Sequence, residues 1–216
     1  MQLPQRSYDR VAAVYDLLAL AWSAGAIGAA GRAVAQRVEP GQRVLVAGVG
    51  GGRDAAALAA RGADLTLVDL SPRMLARAAA RVAEVDGAAV THCSDVLALA
   101  PGEHDVVCAH YFLNVFGPQD VPEALARLAA QLRPGGLLSI ADFAPLTGNA
   151  ISRLGQRVHY ALPLAVFSAL GLCARHPIYD YAALLPPELE LVGLEDHRVG
   201  RVGPRWHRTW FARRVS

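Results

Sequence analysis

The chain has few cysteines and little net charge. Its 216 residues include three cysteines, Cys93, Cys108 and Cys173, with no C-x-x-C spacing. We expect reduced, buried thiols, and we predict neither a disulfide framework nor a metal site. Lysine is absent, and 21 arginines against 19 acidic residues leave a net charge of +2. That balance gives no electrostatic reason to expect a nucleic-acid partner.

Long uncharged apolar runs are also lacking. Residues 11–30 carry Asp16 and closely follow Asp9, and residues 161–174 are interrupted by Pro163. A membrane span needs about 20 consecutive uncharged apolar residues, so we predict neither a span nor a signal peptide. We therefore expect a cytoplasmic protein. With 53% hydrophobic and 19% charged residues, the composition predicts a globular chain with a substantial core.

Short strands alternate with helices through most of the chain. The strand candidates are rich in Val and Leu without a polar face, which is typical of parallel strands buried on both faces. The alternation predicts a doubly wound α/β fold with a mostly parallel sheet of seven strands. Its last two strands lie close together and predict an antiparallel C-terminal hairpin. The predicted strands are 43–48, 64–70, 88–93, 104–111, 137–143 after a turn at 133–136, 188–199 and 205–214. After the second strand, Ser71 as N-cap and Pro72 at the first helical position predict the start of a helix.

A glycine-rich loop follows the first predicted strand. Gly48, Gly50 and Gly52 form G-x-G-x-G ahead of a helix. Glycine permits positive φ and close approach of a ligand, and a helix N-terminus favours negatively charged groups. Asp69 ends the second strand 17 residues after Gly52 (69 − 52), where its carboxylate would accept hydrogen bonds from ribose hydroxyls. The pair predicts an adenosine-type cofactor at the carboxyl ends of the strands.

The details of the loop bear on which cofactor this is. The dinucleotide fingerprint G-x-G-x-x-G/A, counted from Gly48, fails at Arg53. After the third strand, Asp95 could accept a hydrogen bond from the exocyclic amine of an adenine, with the backbone N–H of Val96 on a ring nitrogen. The alternative for Asp95 is a plain helix-capping aspartate.

In order, "VLVAGVGGGRDA", "LVDLSPRML", "CSDVLAL", "HDVVCAHYFLNVF" and "LRPGGLLSIADF" resemble class I S-adenosylmethionine (SAM)-dependent methyltransferases over residues 43–144. The opening "YDRVAAVYD" is similar to the ubiquinone/menaquinone C-methyltransferase and phospholipid N-methyltransferase groups. The resemblance implies a Rossmann-like sheet, SAM as cofactor and a methyltransferase activity. It divides a single domain, 1–216, into an N-terminal helical cap (1–38), a cofactor-binding core (39–145), a helical insert or lid (146–186) and the hairpin (187–216).

The resemblance also implies roles for individual residues. The chain departs from the family pattern at Val46, because the family often has an acidic residue at this position, two before the first glycine. The implied cofactor-binding residues are Tyr15, Gly48, Val49, Gly50, Gly52, Asp69, Leu70, Met74, Asp95, Val96 and His110.

Methyl transfer from a sulfonium needs a general base only if the acceptor must lose a proton. Candidates near the strand ends and on the insert are His110, Asp142 and His159 as catalytic residues, and Tyr111, Asn114 and Tyr160 as substrate-binding residues. Each has a plainer alternative: a packed histidine, a buried hydrogen-bonded acid, or a core or surface position.

The apolar insert predicts a small, apolar or aromatic acceptor. Alternatively, its helices only pack on one another or form a homodimer contact. The arginines of the hairpin predict a solvated edge, with peripheral binding to phospholipid head groups as the less favoured alternative. Two other functions stay open: a nicotinamide-dependent oxidoreductase, and a non-catalytic SAM-binding or partner-binding protein.

Overall fold

The computed structural model describes residues 23–169 and 176–215, so Tyr15, Cys173 and most of the predicted N-terminal cap lie outside the described residues. Seven strands and five α-helices lie within these described residues. The strands are β1 (Arg43–Ala47), β2 (Asp64–Asp69), β3 (Ala89–Cys93), β4 (His104–His110), β5 (Leu132–Phe143), β6 (Leu189–Arg198) and β7 (Arg205–Arg214). The helices are α1 (Ala26–Ala35), α2 (Arg53–Ala59), α3 (Pro72–Ala83), α4 (Val121–Ala129) and α5 (Ala150–Ala169).

The strands form one sheet in the order β3-β2-β1-β4-β5-β7-β6. Strands β1 to β5 pair in parallel, and β7 lies antiparallel between β5 and β6. This confirms the predicted α/β fold: a doubly wound, Rossmann-like, mostly parallel sheet that ends in an antiparallel hairpin. The carboxyl ends of β1, β2 and β4 therefore meet at one edge, where ligands bind in sheets of this kind.

The sheet separates two apolar cores because successive side chains of a strand point to opposite faces. Leu45 and Val107 pack on one side with α4, and Val44, Val46 and Cys108 pack on the other with α1, α2 and α3. Strands covered on both faces need no polar residues, which explains their runs of Val and Leu.

The start of α3 is built as the sequence predicts. The Ser71 side chain accepts a hydrogen bond from the Met74 N–H at 3.2 Å, and Pro72 occupies the first turn. Proline at this position loses no hydrogen bond, because the first N–H groups of a helix have no partner within the helix. The end of β2 therefore passes directly into a helix, and Asp69 is held at the junction.

Two local predictions were wrong. The predicted turn at 133–136 lies inside β5, because Leu132 already pairs with His104 and the register then shifts before Val106 pairs with Leu137. Cys93 is exposed rather than buried, because it ends the edge strand β3, while Cys108 in the central β4 is buried as predicted.

None of the helices within residues 23–169 and 176–215 combines the length and the apolar character that a membrane crossing requires.

Candidate cofactor and acceptor site

The glycine loop lies between β1 and α2 in a backbone conformation that side chains disfavour. The φ angles of Gly48, Gly50 and Gly52 are +64°, +51° and +80°. A Cβ atom on Gly48 would collide with the ring of Phe112. Glycine is required here both for the left-handed backbone and for the space, and the loop presents its backbone to the strand ends.

Asp69 holds this loop against β2. Its Oδ2 accepts a hydrogen bond from the Gly50 N–H at 3.2 Å, and its Oδ1 accepts one from the Ser71 N–H at 2.8 Å. Asp69 ends β2, as the sequence predicts, and the residue is half-buried there. These bonds fix the orientation of the acid beside the loop, where an adenosine ribose would bind.

A cavity of about 280 Å³ opens beside the loop, between it and the start of α1. Val46, the departure from the family pattern, lines it as an apolar wall. The residues that line the cavity are Ser23, Gly25, Ile27, Gly28, Arg32, Val46, Ala47, Gly48, Val49, Gly50, Gly51, Gly52, Arg53, Asp54, His110 and Tyr111.

His110, at the end of β4, forms a buried ion pair in the wall of the cavity. Its Nδ1 donates to Asp54 Oδ2 at 2.7 Å and its Nε2 to Ser139 Oγ at 2.8 Å. Burial disfavours the charged ring, but the neighbouring Cys108 and Asp54 raise the pKa of His110 above its ordinary value. Of these groups we assign the rise to the Asp54 carboxylate, because burial raises the pKa of the Cys108 thiol and keeps it neutral. Sequence reasoning missed Asp54.

The atoms of Asp54, Cys108 and His110 lie close enough together to suggest a metal site. Both ring nitrogens of His110 already form hydrogen bonds, and the buried thiol holds its proton. Because a metal would require a free nitrogen and a thiolate, the chemistry favours a hydrogen-bonded cluster.

Aromatic and histidine side chains form a cluster that extends from Tyr111 in the wall of the cavity, and we call this cluster the rim. Tyr111, which has an unusual φ of +52°, is bonded through its hydroxyl to His207 Nδ1 at 2.8 Å. His207 Nε2 lies 3.2 Å from His159 Nε2 on α5, and the ring of Phe143 packs 4.9 Å from the ring of His207. Burial, with His159 and His197 nearby, lowers the pKa of His207 to about 3, so the ring is neutral. Tyr160 also packs on Phe143, with ring centroids 5.1 Å apart.

Asp142 is buried in a separate network behind the rim. Its Oδ1 accepts from Asn114 Nδ2 at 3.1 Å and from the Phe143 N–H, and its Oδ2 accepts from the Tyr181 hydroxyl at 2.7 Å. Burial raises the pKa of Asp142, and these hydrogen bonds, which lower it, offset the rise only in part. The network ties β5 to the segments after β4 and before β6, which position the rim.

The remaining predicted cofactor residues lie near the ends of β2 and β3. Leu70 is half-buried, whereas Met74 and Val96 are buried. Asp95 is exposed, and its Oδ1 accepts a hydrogen bond from the Leu97 N–H at 2.9 Å, which is the geometry of a capping aspartate. His207, Tyr181 and Asp54 were not predicted, because their roles depend on which strands and helices become neighbours.

Comparison with known proteins agrees with this fold. Residues 44–136 match the family model "Methyltransferase domain". The chain is 35% identical to a ubiquinone biosynthesis O-methyltransferase of Thiobacillus denitrificans, over 68% of this chain and 60% of that protein. It is 36% identical to the biotin biosynthesis bifunctional protein BioCD of Bordetella avium, over 66% of this chain and 31% of that protein. The chain thus spans about a third to three fifths of the length of these curated relatives.

Among solved structures, the magnesium protoporphyrin IX methyltransferase ChlM of Synechocystis with bound S-adenosylhomocysteine superposes with a TM-score of 0.64. Identity is 22%, over 89% of this chain and 83% of that chain. The sheet order, the glycine loop after β1 and the acid at the end of β2 define the class I SAM-dependent methyltransferases. This chain has the fold of that class, and its residues 44–136 match the methyltransferase domain family.

Proposed function

We propose that the protein transfers a methyl group from SAM to a small apolar or aromatic acceptor at the rim of the cavity. The observation that carries the proposal is that one glycine loop both lines the cavity and donates a hydrogen bond to Asp69. When bound, SAM supplies a methyl group already activated as a sulfonium. Positioning the acceptor and excluding water can then account for most of the rate.

The residues present fit SAM. The three loop glycines line the cavity with a left-handed backbone that favours glycine, and the fixed Asp69 carboxylate suits a ribose diol. Arg32 and the loop N–H groups suit a carboxylate, and Asp54 suits an ammonium group. We expect Asp95 and Val96 to read the adenine, and Leu70 to line it.

The rim suits an acceptor that loses a proton. Neutral His207 has one donor and one acceptor nitrogen. In one consistent arrangement the Tyr111 hydroxyl donates to His207 Nδ1, and His207 Nε2–H donates to His159 Nε2. The acceptor hydroxyl then gives its proton to the Tyr111 oxygen, and the Tyr111 hydroxyl gives its own proton to His207 Nδ1. His207 Nε2 in turn gives its proton to His159 Nε2, which completes the proton relay. The acceptor oxygen is left free to attack the methyl carbon.

The two other catalytic candidates take supporting roles in this proposal. His110 has both ring nitrogens in hydrogen bonds, so we expect it to fix the cavity wall and its charge. Asp142 is enclosed by Asn114 and Tyr181, so we expect it to position the rim. Asn114, Tyr111 and Tyr160 remain the proposed neighbours of the acceptor.

Cofactor binding tests the first part of the proposal. We expect Asp69→Ala to weaken binding of S-adenosylhomocysteine about 30-fold, because two charge-assisted hydrogen bonds to the ribose are lost. Isothermal titration calorimetry measures the affinity. The matched control is Asp64→Ala, at the opposite end of the same strand, and it should stay within about twofold of the unchanged protein. Binding of NAD in place of S-adenosylhomocysteine would instead favour the oxidoreductase alternative.

The chemistry of the acceptor tests the proposed proton relay from the acceptor through Tyr111 and His207 to His159. We expect Tyr111→Phe to lower kcat about 100-fold for hydroxylated aromatic acceptors, because the proton loses its route. Acceptors that offer a tertiary or aromatic nitrogen lose no proton, and their kcat should be unaffected. Product formation with both classes is followed by mass spectrometry.

The control for this relay test is Tyr179→Phe, which removes a hydroxyl that is bonded to the Phe116 carbonyl oxygen and takes no part in the relay. Equal losses for both acceptor classes would contradict the relay. Cofactor binding with no turnover of either class would favour the non-catalytic alternative.

A further inference from the structure

Helix α5 carries a continuous apolar row on its outer side. The residues of this row, which we call the α5 stripe, are Ile151, Leu154, Val158, Leu162 and Val166. Half or more of each side chain is exposed, from 50% for Val166 to 83% for Ile151. Their spacing of three and four residues aligns them along one face of the helix. A contiguous exposed apolar face of this length indicates a partner surface.

The inner side of α5 fixes the direction of the stripe. Gln156 is fully buried and its Nε2 donates to the Ala144 carbonyl oxygen at 2.6 Å. Gly155 lies against the ring of Trp206, and a Cβ atom there would come within 3.1 Å of it. His159 packs on Phe143. Because these contacts hold the inner face against the body of the protein, the stripe faces outward.

Charge beside the stripe identifies the partner. Arg153 and Arg157 are exposed and lie four residues apart in the neighbouring row, next to Leu154 and Val158. Helix α5 contains no acidic residue, and none of the carboxylates in the described part of the chain pairs with either arginine. Long arginine side chains at the edge of a buried apolar row reach outward to the head-group region of a bilayer.

We propose that α5 seats this protein on an anionic membrane surface, with the α5 stripe in the interface and Arg153 and Arg157 on lipid phosphates. Apolar residues on one face and arginines at its flank are what an interfacial helix needs. A second copy of the chain fits less well, because a facing α5 would offer the arginines no carboxylate. The inner face of α5 carries His159, so the rim would lie about one helix diameter, ~10 Å, from the membrane.

Vesicle binding tests this proposal with the whole 216-residue chain. The probes are vesicles of phosphatidylcholine and vesicles in which about one third is replaced by phosphatidylglycerol. We expect sedimentation with the anionic vesicles and about 30-fold weaker partition onto the neutral ones, since each arginine near an anionic surface contributes severalfold. The double substitution Arg153→Gln and Arg157→Gln should abolish that difference.

A matched pair of valine substitutions distinguishes membrane binding through the α5 stripe from nonspecific adsorption of the protein to vesicles. Val158 and Val192, on β6, are 51% and 48% exposed. We expect Val158→Glu to lower the vesicle partition coefficient roughly tenfold, because it places a charge in the apolar row. Val192→Glu should leave it unchanged. Both sites are half-exposed, and circular dichroism and thermal melting verify that both variants fold.

A variant-free measurement completes the design. Hydrogen exchange of residues 150–169 in the unchanged protein should slow when anionic vesicles are added. Three results would overturn the proposal: no binding of the unchanged protein to anionic vesicles, equal loss of binding in Val158→Glu and Val192→Glu, or a dimer that Val158→Glu dissociates in sedimentation while vesicles have no effect.

Discussion

Gly52→Ala is expected to lower the free energy of unfolding by about 3 kcal/mol. Gly52 has a φ of +80°, and a Cβ atom at this position would collide with the backbone and side chain of Ala78 in α3. The substitution therefore combines a left-handed alanine with overpacking against a buried helix. Because Ala78 is completely buried, α3 has no room to move away without opening the core.

Gly41→Ala is the control that separates the two causes. Gly41 has a φ of +81°, but a Cβ atom on it would meet no other atom within 4 Å, so only the backbone cost of about 1 kcal/mol remains. Urea denaturation of both variants measures the difference. Equal losses in the two proteins would mean that the contact between the loop and α3 contributes nothing.

The same glycine thus serves the fold as well as the ligand. Gly52 permits α2 and α3 to pack closely, and Gly48 leaves room for Phe112. In the sequence, the glycine pattern indicates close approach of a ligand, yet two of its three glycines are already required by contacts within the protein. A glycine loop is therefore weak support for a cofactor by itself, and Asp69 supplies the stronger argument.

The architecture was predictable because each strand and helix carries its own local signal. Alternating apolar strands and helices predicted the sheet, and Ser71 with Pro72 predicted the start of α3. These signals lie within a few residues along the chain. Asp69 was predictable for the same reason, because it ends a strand and precedes a helix cap.

The rim could not be predicted in the same way. His207 faces Phe143 only because β7 pairs with β5 in one particular register, and a shift by one residue would turn His207 to the opposite face. Tyr181 reaches Asp142 across 39 positions of the chain. Asp54 meets His110 because α2 begins beside the end of β4. Such contacts depend on tertiary arrangement, for which a single sequence carries no local signal.

Asp54→Asn is expected to destabilise the protein by about 3 kcal/mol at neutral pH, because it leaves the buried His110 without its carboxylate. The two side chains are 14% and 3% exposed, so little water is available to replace the partner. The pKa of His110 should fall below its ordinary value of 6.5, since burial then acts with less opposition. Histidine NMR in the apo protein measures that change directly.

The pH dependence of stability distinguishes this pair from simple packing. In the unchanged protein the pKa of His110 is raised above 6.5, so the folded state binds the proton more tightly than the unfolded state does. The resulting stabilisation is fully present below pH 6.5 and is lost as the pH rises through the raised pKa of His110. Asp54→Asn should remove this decline. Glu123→Gln, which breaks the exposed pair with Arg127, should change stability by less than about 0.5 kcal/mol and keep the decline. A decline that persists in Asp54→Asn would mean that the carboxylate does not hold the charge on His110.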